Sequence, residues 1–378
     1  MSYRHHRCLT LTTLILLITS LILYGQQPPE LNPRLILSDI PAPSLSSNLL
    51  GERDHRQIAV YLPPSYYASQ VSYPVVYFLT GFGDEVTAMT DGTRGLTLPS
   101  SLDSVVTEDS LREMILVIVS GTNSLGGSFY VNSPVSGNWE DFIARDLVTY
   151  VDRHYRTIAD GASRGLSGHS MGGSGALTIA MRNPGVFGAV YLMSPPVADT
   201  CGLAKTEMFA AAGVTDSVLQ ILESLKPLKK EAARKQLTVL LANSMPAVSL
   251  SISYGAAFAS DTDLQFPHVA YPYHRENGLL VADSLLLRKW ECGFGALPMK
   301  LWRYRDNLVK LRRIGLECGL NDESPWIREG CGYLSIQLDL EEIPHTTSFF
   351  RGGHRDKLAQ RIREAMLPFF SEALSFQS

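Results

Sequence analysis

Short runs of apolar residues recur along the chain, and most of them are too continuous for strands with one face in water. Runs of this kind are typical of strands in a sheet that helices cover on both sides. The predicted strands are Ile58–Leu62, Pro74–Leu79, Met114–Val119, Ala189–Met193, Arg313–Glu317 and Thr346–Phe350.

Apolar residues at helical spacing occupy the stretches between these runs. Asn138 is placed to cap a helix whose apolar face continues to Val151. A second helix includes Ile179 and stops at Asn183-Pro184, and the last helix carries apolar residues between 358 and 369. Because strands and helices alternate, the sequence predicts the α/β class, with a mostly parallel central sheet flanked by helices.

The segment 197–297 interrupts this alternation. It contains apolar stripes at 218–225 and 233–241, which Pro227 separates, and it reads as a helical insertion before the strand that begins at Arg313. Two interpretations stay open. The insertion is either a cap that shapes a substrate pocket over the strand ends, or a helical layer that only extends the core.

The N-terminal segment has the pattern of a targeting sequence. Basic residues at 4–7 precede an apolar run, and a polar break follows Gly25. This order predicts a secretory signal peptide over 1–25, because the run is shorter than the roughly 20 residues that cross a membrane. The expected location is secreted, periplasmic or in the cell envelope, with an uncleaved anchor as the alternative. An irregular lead-in is expected over 26–50.

Composition adds little to this picture. The net charge of −4 on 378 residues gives no electrostatic reason to expect nucleic acid or an anionic membrane as a partner. Four cysteines follow the predicted signal peptide, and either disulfides or buried free thiols would account for them. They are Cys201, Cys292, Cys318 and Cys331. No cysteine or histidine spacing suggests a metal site, and no cofactor is expected.

The strongest chemical signal is the sequence Gly-His-Ser-Met-Gly-Gly at 168–173, between a predicted strand at Arg164–Ser167 and a helix. A strand-to-helix turn this tight holds its middle residue at positive φ and exposes its side chain above the sheet. Small residues two positions before and after are needed to let strand and helix approach. Ser170 is therefore the candidate nucleophile, and a glycine-rich turn with a surface serine is the alternative.

A serine nucleophile needs a base and an acid, which in this strand–turn–helix context follow it in the order acid, then histidine. His354 directly follows two glycines and the strand at Thr346–Phe350, which places it over the strand end. His345 precedes that strand and is expected on the surface. Asp322, in the loop after the strand at Arg313, is the first candidate for the acid, and Glu317 is the second.

An oxyanion would be stabilised by two backbone N–H groups. One belongs to Met171, the residue after the nucleophile, and the other to the turn after the strand that ends at Leu79. Phe82 is the expected donor in that turn, with Gly81 and Gly83 as alternatives. Aromatic residues that could line a pocket or belong to the core are Tyr130, Trp139, Phe258, Tyr271 and Tyr273.

The order and spacing of these segments resemble the Putative esterase family of α/β hydrolases, which includes esterase D-like, feruloyl and mycolyltransferase-like enzymes. The resemblance spans about residues 50–375. The segments that carry it lie at 60–66, 73–77, 137–142, 168–173, 184–187, 318–322 and 352–354.

The resemblance implies the α/β-hydrolase fold over 51–378, a triad of Ser170, His354 and Asp322, and a reaction without metal or cofactor. The expected substrate is a small-molecule or carbohydrate-linked ester, and its identity does not follow from the resemblance. Two positions depart from the family, since Thr80 stands where relatives often have histidine and Glu317 where they often have aspartate. Transfer of the acyl group to a sugar or other alcohol, and a non-catalytic binding module, are the competing hypotheses. The acyl group, the alcohol and the oligomeric state stay open.

Overall fold

The computed structural model describes residues 33–108 and 111–377. The predicted signal peptide at 1–25 and the first part of the lead-in lie outside the described residues.

Eight strands form one twisted sheet, in the spatial order β1-β2-β4-β3-β7-β8-β11-β12. The strands β4, β3, β7, β8, β11 and β12 are parallel neighbours, whereas β2 runs antiparallel to both β1 and β4. Their bounds are β1 Leu35–Pro41, β2 His55–Tyr61, β3 Val75–Leu79, β4 Ile115–Val119, β7 Arg164–His169, β8 Ala189–Met193, β11 Arg313–Gly319 and β12 Thr346–Phe350. Two short hairpins, β5 (Asn132–Ser133) with β6 (Gly137–Asn138) and β9 (Tyr273–Glu276) with β10 (Leu279–Ala282), lie outside this sheet.

The central strands are buried on both faces, as their continuous apolar sequences predict. Every residue of β3, β4 and β8 is buried. One apolar cluster covers one face of the sheet and continues into the insertion, and a second cluster covers the other face under the C-terminal helix. The α/β-hydrolase fold predicted from the sequence is therefore confirmed.

Helices cover both faces and fill the insertion. Outside the insertion they are α1 Ser100–Glu108, α2 with segments Trp139–Asp141, Phe142–Leu147 and Val148–His154, α3 Met171–Arg182, α9 Leu297–Leu308, α10 Pro325–Leu340, and α11 with segments Leu358–Arg361, Ile362–Met366 and Leu367–Ala373. The middle segments of α2 and α11 are π-helical. Asn138 precedes α2, as predicted, but its side chain makes no capping hydrogen bond.

The lead-in requires a correction. Residues 26–50 were expected to be irregular, but Leu35–Pro41 form the edge strand β1. Its backbone pairs antiparallel with β2 over the whole strand, from Leu35 opposite Tyr61 to Pro41 opposite His55. Only one of its seven residues, Ile40, is fully buried, so the strand depends mainly on backbone pairing with β2.

The insertion is mostly helical but includes the β9–β10 hairpin, which the sequence analysis did not predict. Its helices are α4 Glu207–Ala210, α5 Val214–Leu225, α6 Lys230–Ala242, α7 Pro246–Phe258 and α8 Ser284–Glu291. The hairpin is exposed along most of its length, and its turn contains Asn277 and Gly278 at positive φ. A turn signal of this kind identifies a hairpin only when the flanking residues alternate, which these do not.

Candidate active site

Ser170 occupies a strained turn between β7 and α3. Its backbone lies at φ 55° and ψ −123°, a conformation that residues other than glycine rarely adopt. Gly168 and Gly172 make the turn possible, because a Cβ on either residue would overlap backbone atoms of Gly172 or Leu79. The turn leaves the Ser170 side chain partly exposed above the carboxyl end of the sheet.

His354 lies in the loop after β12 and points toward a buried carboxylate. Its Nδ1 is 2.7 Å from Oδ2 of Asp322, whose side chain is fully buried, whereas 16% of the His354 side chain is exposed. The other oxygen of Asp322 accepts a hydrogen bond from the backbone N–H of Ser324 at 2.9 Å. The carboxylate is thus fixed on both oxygens, and the ring nitrogen opposite Asp322 remains available for a reacting group.

Glu317, the second candidate for the acid, has other partners. Its side chain is 3% exposed and lies 3.2 Å from the guanidinium of Arg361, and Tyr191 donates a hydrogen bond to it at 2.8 Å. Burial raises the pKa of Glu317, and the positive charge of Arg361 opposes that shift. Arg361 also contacts the backbone carbonyl of His354 at 3.4 Å. Glu317 is thus linked through Arg361 to the loop after β12 that carries His354, here the histidine loop. Its hydrogen-bond and ion-pair partners are Tyr191 and Arg361, not the imidazole.

The expected oxyanion donors lie on either side of Ser170. Met171 is the first residue of α3, so its N–H has no acceptor within the helix. The turn after β3 is closed by the N–H of Asp84, which donates to Gly81 O at 3.1 Å, and Phe82 lies inside it. This turn passes beside the nucleophile, since a Cβ on Gly81 would lie 3.5 Å from that of Ser170. Both Met171 and Phe82 line the cavity that contains Ser170.

A buried carboxylate joins the turn after β3 to the histidine loop. The Asp84 side chain is 1% exposed and forms ion pairs with Arg94 and with Arg355, the residue after His354. The Arg355 guanidinium contacts both oxygens of Asp84, at 2.9 and 3.0 Å. Thr80, which stands where relatives often have histidine, donates its hydroxyl to Asp84 O at 2.7 Å. The side chain at this position therefore closes the turn.

His169 is a second buried imidazole beside the site. Its Nε2 lies 2.9 Å from the backbone carbonyl of His354, and the two rings are 4.8 Å apart. Its Nδ1 is buried without a hydrogen-bond partner. Burial, together with the proximity of His354 and Arg361, lowers the pKa of His169 well below its ordinary value. His169 is therefore neutral and holds the histidine loop through one hydrogen bond.

A cavity of about 520 Å³ contains Ser170 and His354. Its walls are largely apolar, and both the sheet and the insertion contribute to them. The apolar lining residues are Phe82, Phe129, Met171, Pro196, Pro246, Ala247, Leu250, Phe294, Trp326 and Ile327. A larger cavity of about 930 Å³ lies within the insertion, between α5 and the β9–β10 hairpin, and no predicted site residue lines it.

The remaining candidate residues lie elsewhere. His345 is at the start of β12 and bonds to Ser335 and to the carbonyl of Ile343. Its side chain is 5% exposed, so the expected surface position was wrong. The four described cysteines are free, with Cys318 and Cys331 buried. Within 33–108 and 111–377 no group of three or more metal-ligating side chains could hold an ion, and no helix is long and apolar enough to cross a membrane.

None of the five aromatic residues proposed from the sequence lines the cavity at Ser170. Tyr130 and Trp139 belong to the buried core, Phe258 is partly buried against it, and Tyr271 and Tyr273 line the larger cavity. The cavity at Ser170 is lined by four other rings, Phe82, Phe129, Phe294 and Trp326. Of these, only Phe82 had been singled out, and for its backbone N–H. Nothing in the spacing of Phe129, Phe294 or Trp326 distinguishes them from core residues.

Comparisons with known proteins agree with this architecture. A family model described as Putative esterase matches residues 47–260, more than half of the chain. The chain is 28% identical over 140 residues to an endo-1,4-beta-xylanase/feruloyl esterase of Xylanibacter ruminicola, covering 36% of this chain and 19% of that protein. It is 31% identical over 147 residues to an esterase of Mycobacterium tuberculosis, covering 37% of this chain and 29% of that protein. The matched segments are thus less than a third of each curated relative.

Among solved structures, a ferulic acid esterase is similar over most of both chains. The alignment covers 90% of this chain and 98% of the other, with a TM-score of 0.54 and 18% sequence identity. At this identity the likeness establishes the fold.

Proposed function

The chain belongs to the Putative esterase family, and on this premise we propose that it hydrolyses carboxylic esters with Ser170 as nucleophile, His354 as base and Asp322 as the acid that orients the base. The observation that carries the proposal is the 2.7 Å contact between His354 Nδ1 and Asp322 Oδ2, beside a serine held at positive φ. Ser170 and His354 line one cavity, and this arrangement of nucleophile, base and orienting carboxylate supports acyl transfer.

In the first half of the proposed reaction, the Ser170 hydroxyl oxygen attacks the ester carbonyl carbon while His354 Nε2 takes the hydroxyl proton. Asp322 accepts a hydrogen bond from Nδ1–H, which keeps Nε2 unprotonated before the attack and stabilises the imidazolium after it. The backbone N–H groups of Met171 and Phe82 receive the negative charge on the former carbonyl oxygen. His354 then returns the proton to the alcohol oxygen, the C–O bond breaks, and an acyl-enzyme remains.

In the second half, water attacks the acyl-enzyme and His354 accepts a proton from it. As the second tetrahedral intermediate collapses, the bond between the acyl carbon and the Ser170 oxygen breaks, His354 returns the proton to that oxygen, and the carboxylic acid is released. Each half uses the same two backbone donors and the same imidazole, so the site needs no group beyond these side chains and N–H groups.

Hydrolysis of p-nitrophenyl esters from acetate to octanoate, together with a ferulate ester, tests this function. We expect the wild-type protein to hydrolyse at least part of the series and Ser170→Ala to lose about 10³-fold or more in kcat/KM. An inactive wild type, or a variant as fast as wild type, would refute the hydrolase function. The binding-module hypothesis would then account better for the fold.

A further inference from the structure

We propose that Glu207 determines the charge of the acyl group that this site accepts: it selects esters whose acyl chain is uncharged or cationic and disfavours acyl chains that carry a carboxylate. This inference rests on the proposed ester hydrolysis and adds a substrate class and a residue responsible for it.

Glu207 comes from the insertion and contacts the loop that carries the candidate acid. It is the first residue of α4 and lines the cavity together with Ser170 and His354. One carboxylate oxygen accepts a hydrogen bond from the hydroxyl of Ser324, and the other accepts one from the Trp326 indole N–H at 2.9 Å. The carboxylate is thereby held in one position, and its charge is fixed at the cavity wall.

The residue that Glu207 orients is part of the apolar wall. Trp326 is 7% exposed, and its ring lies 5.8 Å from that of Phe294 at an angle of 31°. Phe294 follows the insertion helix α8 and is 3% exposed. The indole and phenyl faces offer apolar surface to a hydrocarbon acyl chain, whose burial is favourable.

The other charges on the cavity wall do not favour an anion. Glu323 accepts the backbone N–H of His354 at 2.8 Å, and Asp356 accepts that of Gly353 at the same distance. Arg355 is the only guanidinium lining this cavity among the described residues, and it is paired with Asp84. Three carboxylates, Glu207, Glu323 and Asp356, therefore line the cavity, against one cation that shares the carboxylate of Asp84 with Arg94.

A carboxylate at the end of an acyl chain would enter this apolar, negatively charged cavity without a free cation to pair with. In a cavity open to water, at an effective dielectric constant of about 40 to 60, two like charges about 6 Å apart repel enough to lower binding by about five- to tenfold. Desolvation of the carboxylate adds to the penalty. An ammonium group at the same position would be attracted instead.

The test uses three p-nitrophenyl esters with acyl chains of equal length that end in a methyl, a carboxylate or an ammonium group: the octanoate, the hydrogen suberate and the 8-aminooctanoate. All three esters are measured with the same enzyme at one pH. A change in the protonation of the base, or in the fraction of active protein, therefore cancels in the ratios of kcat/KM. For the wild type we expect kcat/KM on the suberate to be at least about tenfold below the octanoate value.

The informative variant is Glu207→Gln, because a glutamine can accept from the indole N–H through its oxygen and donate to the Ser324 hydroxyl through its nitrogen. It removes the charge and keeps the shape. We expect the suberate-to-octanoate ratio to rise about five- to tenfold and the 8-aminooctanoate-to-octanoate ratio to fall. Both changes should shrink in high salt.

Two further variants separate charge from structure. Glu207→Ala also removes the hydrogen bonds to Ser324 and Trp326, so it should slow all three esters. Glu372→Gln removes the same charge beside Arg313, at the end of β11 opposite the site, and should leave both ratios unchanged.

The proposal is overturned if Glu207→Gln leaves the ratios at the wild-type values, or if the wild type prefers the suberate, which would mean that Arg355 recognises a carboxylate. If the wild type hydrolyses none of the three esters faster than Ser170→Ala does, the hydrolase function is refuted as well. Activity on the octanoate without charge discrimination refutes the inference about Glu207 alone.

Discussion

Two regions line one cavity but are determined in different ways: the catalytic layer, meaning the strand-end loops that carry the candidate residues Ser170, Asp322 and His354, and the helical insertion. In the catalytic layer, functional atoms are placed by backbone geometry: a positive φ at Ser170, a four-residue turn at Gly81–Asp84 and the loops after β11 and β12. In the insertion, most of the cavity-lining residues sit on helices and are placed by how those helices pack. Under the proposed function, the first region would provide the chemistry and the second would decide which substrate reaches it.

This comparison predicts two kinds of variant. Changes in the catalytic layer should alter the rate for every ester by a similar factor, because they affect the reacting atoms. Changes in the insertion that keep its hydrogen bonds to the rest of the cavity wall should alter mainly the ratio between esters.

The largest effect is expected from the acid. Asp322→Asn should lower kcat/KM by about 10³-fold or more on every ester, because the amide favours the wrong imidazole tautomer. Glu317→Gln is the matched control, since Glu317 pairs with Arg361 and Tyr191 and does not contact the ring. Glu317→Gln should lower the free energy of unfolding, while its kcat/KM should stay far above that of Asp322→Asn. Steady-state kinetics on both variants would contradict the assignment if Glu317→Gln were the slower enzyme.

The tight turn at the nucleophile predicts a large effect on stability. Gly172→Ala places a methyl group on the carbonyl of Leu79 and should lower the free energy of unfolding by about 3 kcal/mol or more, since backbone atoms cannot move aside cheaply. Gly332→Ala in α10 meets nothing within 4 Å and should raise it by about 0.5–1 kcal/mol. Chemical denaturation would refute the account if the two variants had equal stability.

A smaller effect should follow from loosening the link between the turn after β3 and the histidine loop. Asp84→Asn leaves Arg94 and Arg355 without a countercharge and should lower kcat by about tenfold or more on every ester, because the base and an oxyanion donor lose their common support. Asp152→Asn removes a similar pair with Arg164, at the opposite end of β7 from Ser170. That control should keep kcat within about twofold.

His169 predicts a pH dependence of stability. Its pKa in the folded protein is lowered well below the ordinary value of 6.5, so below pH 6.5 the unfolded chain binds a proton that the folded chain does not. The contribution of the neutral His169 ring to the free energy of unfolding is complete above pH 6.5. It decreases below that pH by up to about 1.4 kcal/mol per pH unit. Unfolding of His169→Gln should depend less steeply on pH between 6.5 and 5, whereas the exposed His274→Gln should match wild type.

The smallest effect concerns the insertion. Leu250 of α7 lines the cavity, and Leu250→Trp should lower kcat/KM for octanoate about fivefold while acetate hydrolysis stays nearly unchanged, because the added ring occupies space that only the longer chain needs. The same loss on both esters would mean that the insertion acts on the chemistry itself.

The two regions also differ in how far the sequence predicts them. The nucleophile turn could be located because it imposes local requirements, with small residues at 168 and 172 around a serine. The order of elements then limited the choice of histidine and acid. Asp322 was preferred to Glu317 only from its place in a loop, and the contacts of Glu317 with Arg361 and Tyr191 explain that residue without a catalytic role.

What the sequence could not predict depends on contacts between distant segments. Asp84 and Arg355 are 271 positions apart, and Glu207 and Trp326 are 119 apart, so no local pattern relates them. The edge strand β1 is formed by pairing with β2, and only one of its seven residues is fully buried. Phe129, Phe294 and Trp326 look like core residues in sequence, and only the packing of the insertion makes them the wall of a cavity.

The most direct test of the central claim is covalent labelling of Ser170 by an alkyl fluorophosphonate, followed by intact-mass and peptide mass analysis. We expect one adduct per chain on the peptide containing Ser170, loss of ester hydrolysis in proportion to labelling, and no adduct on Ser170→Ala or, at the same exposure time, on His354→Ala. Labelling elsewhere, or full labelling without loss of hydrolysis, would contradict the assignment of Ser170 as the activated nucleophile.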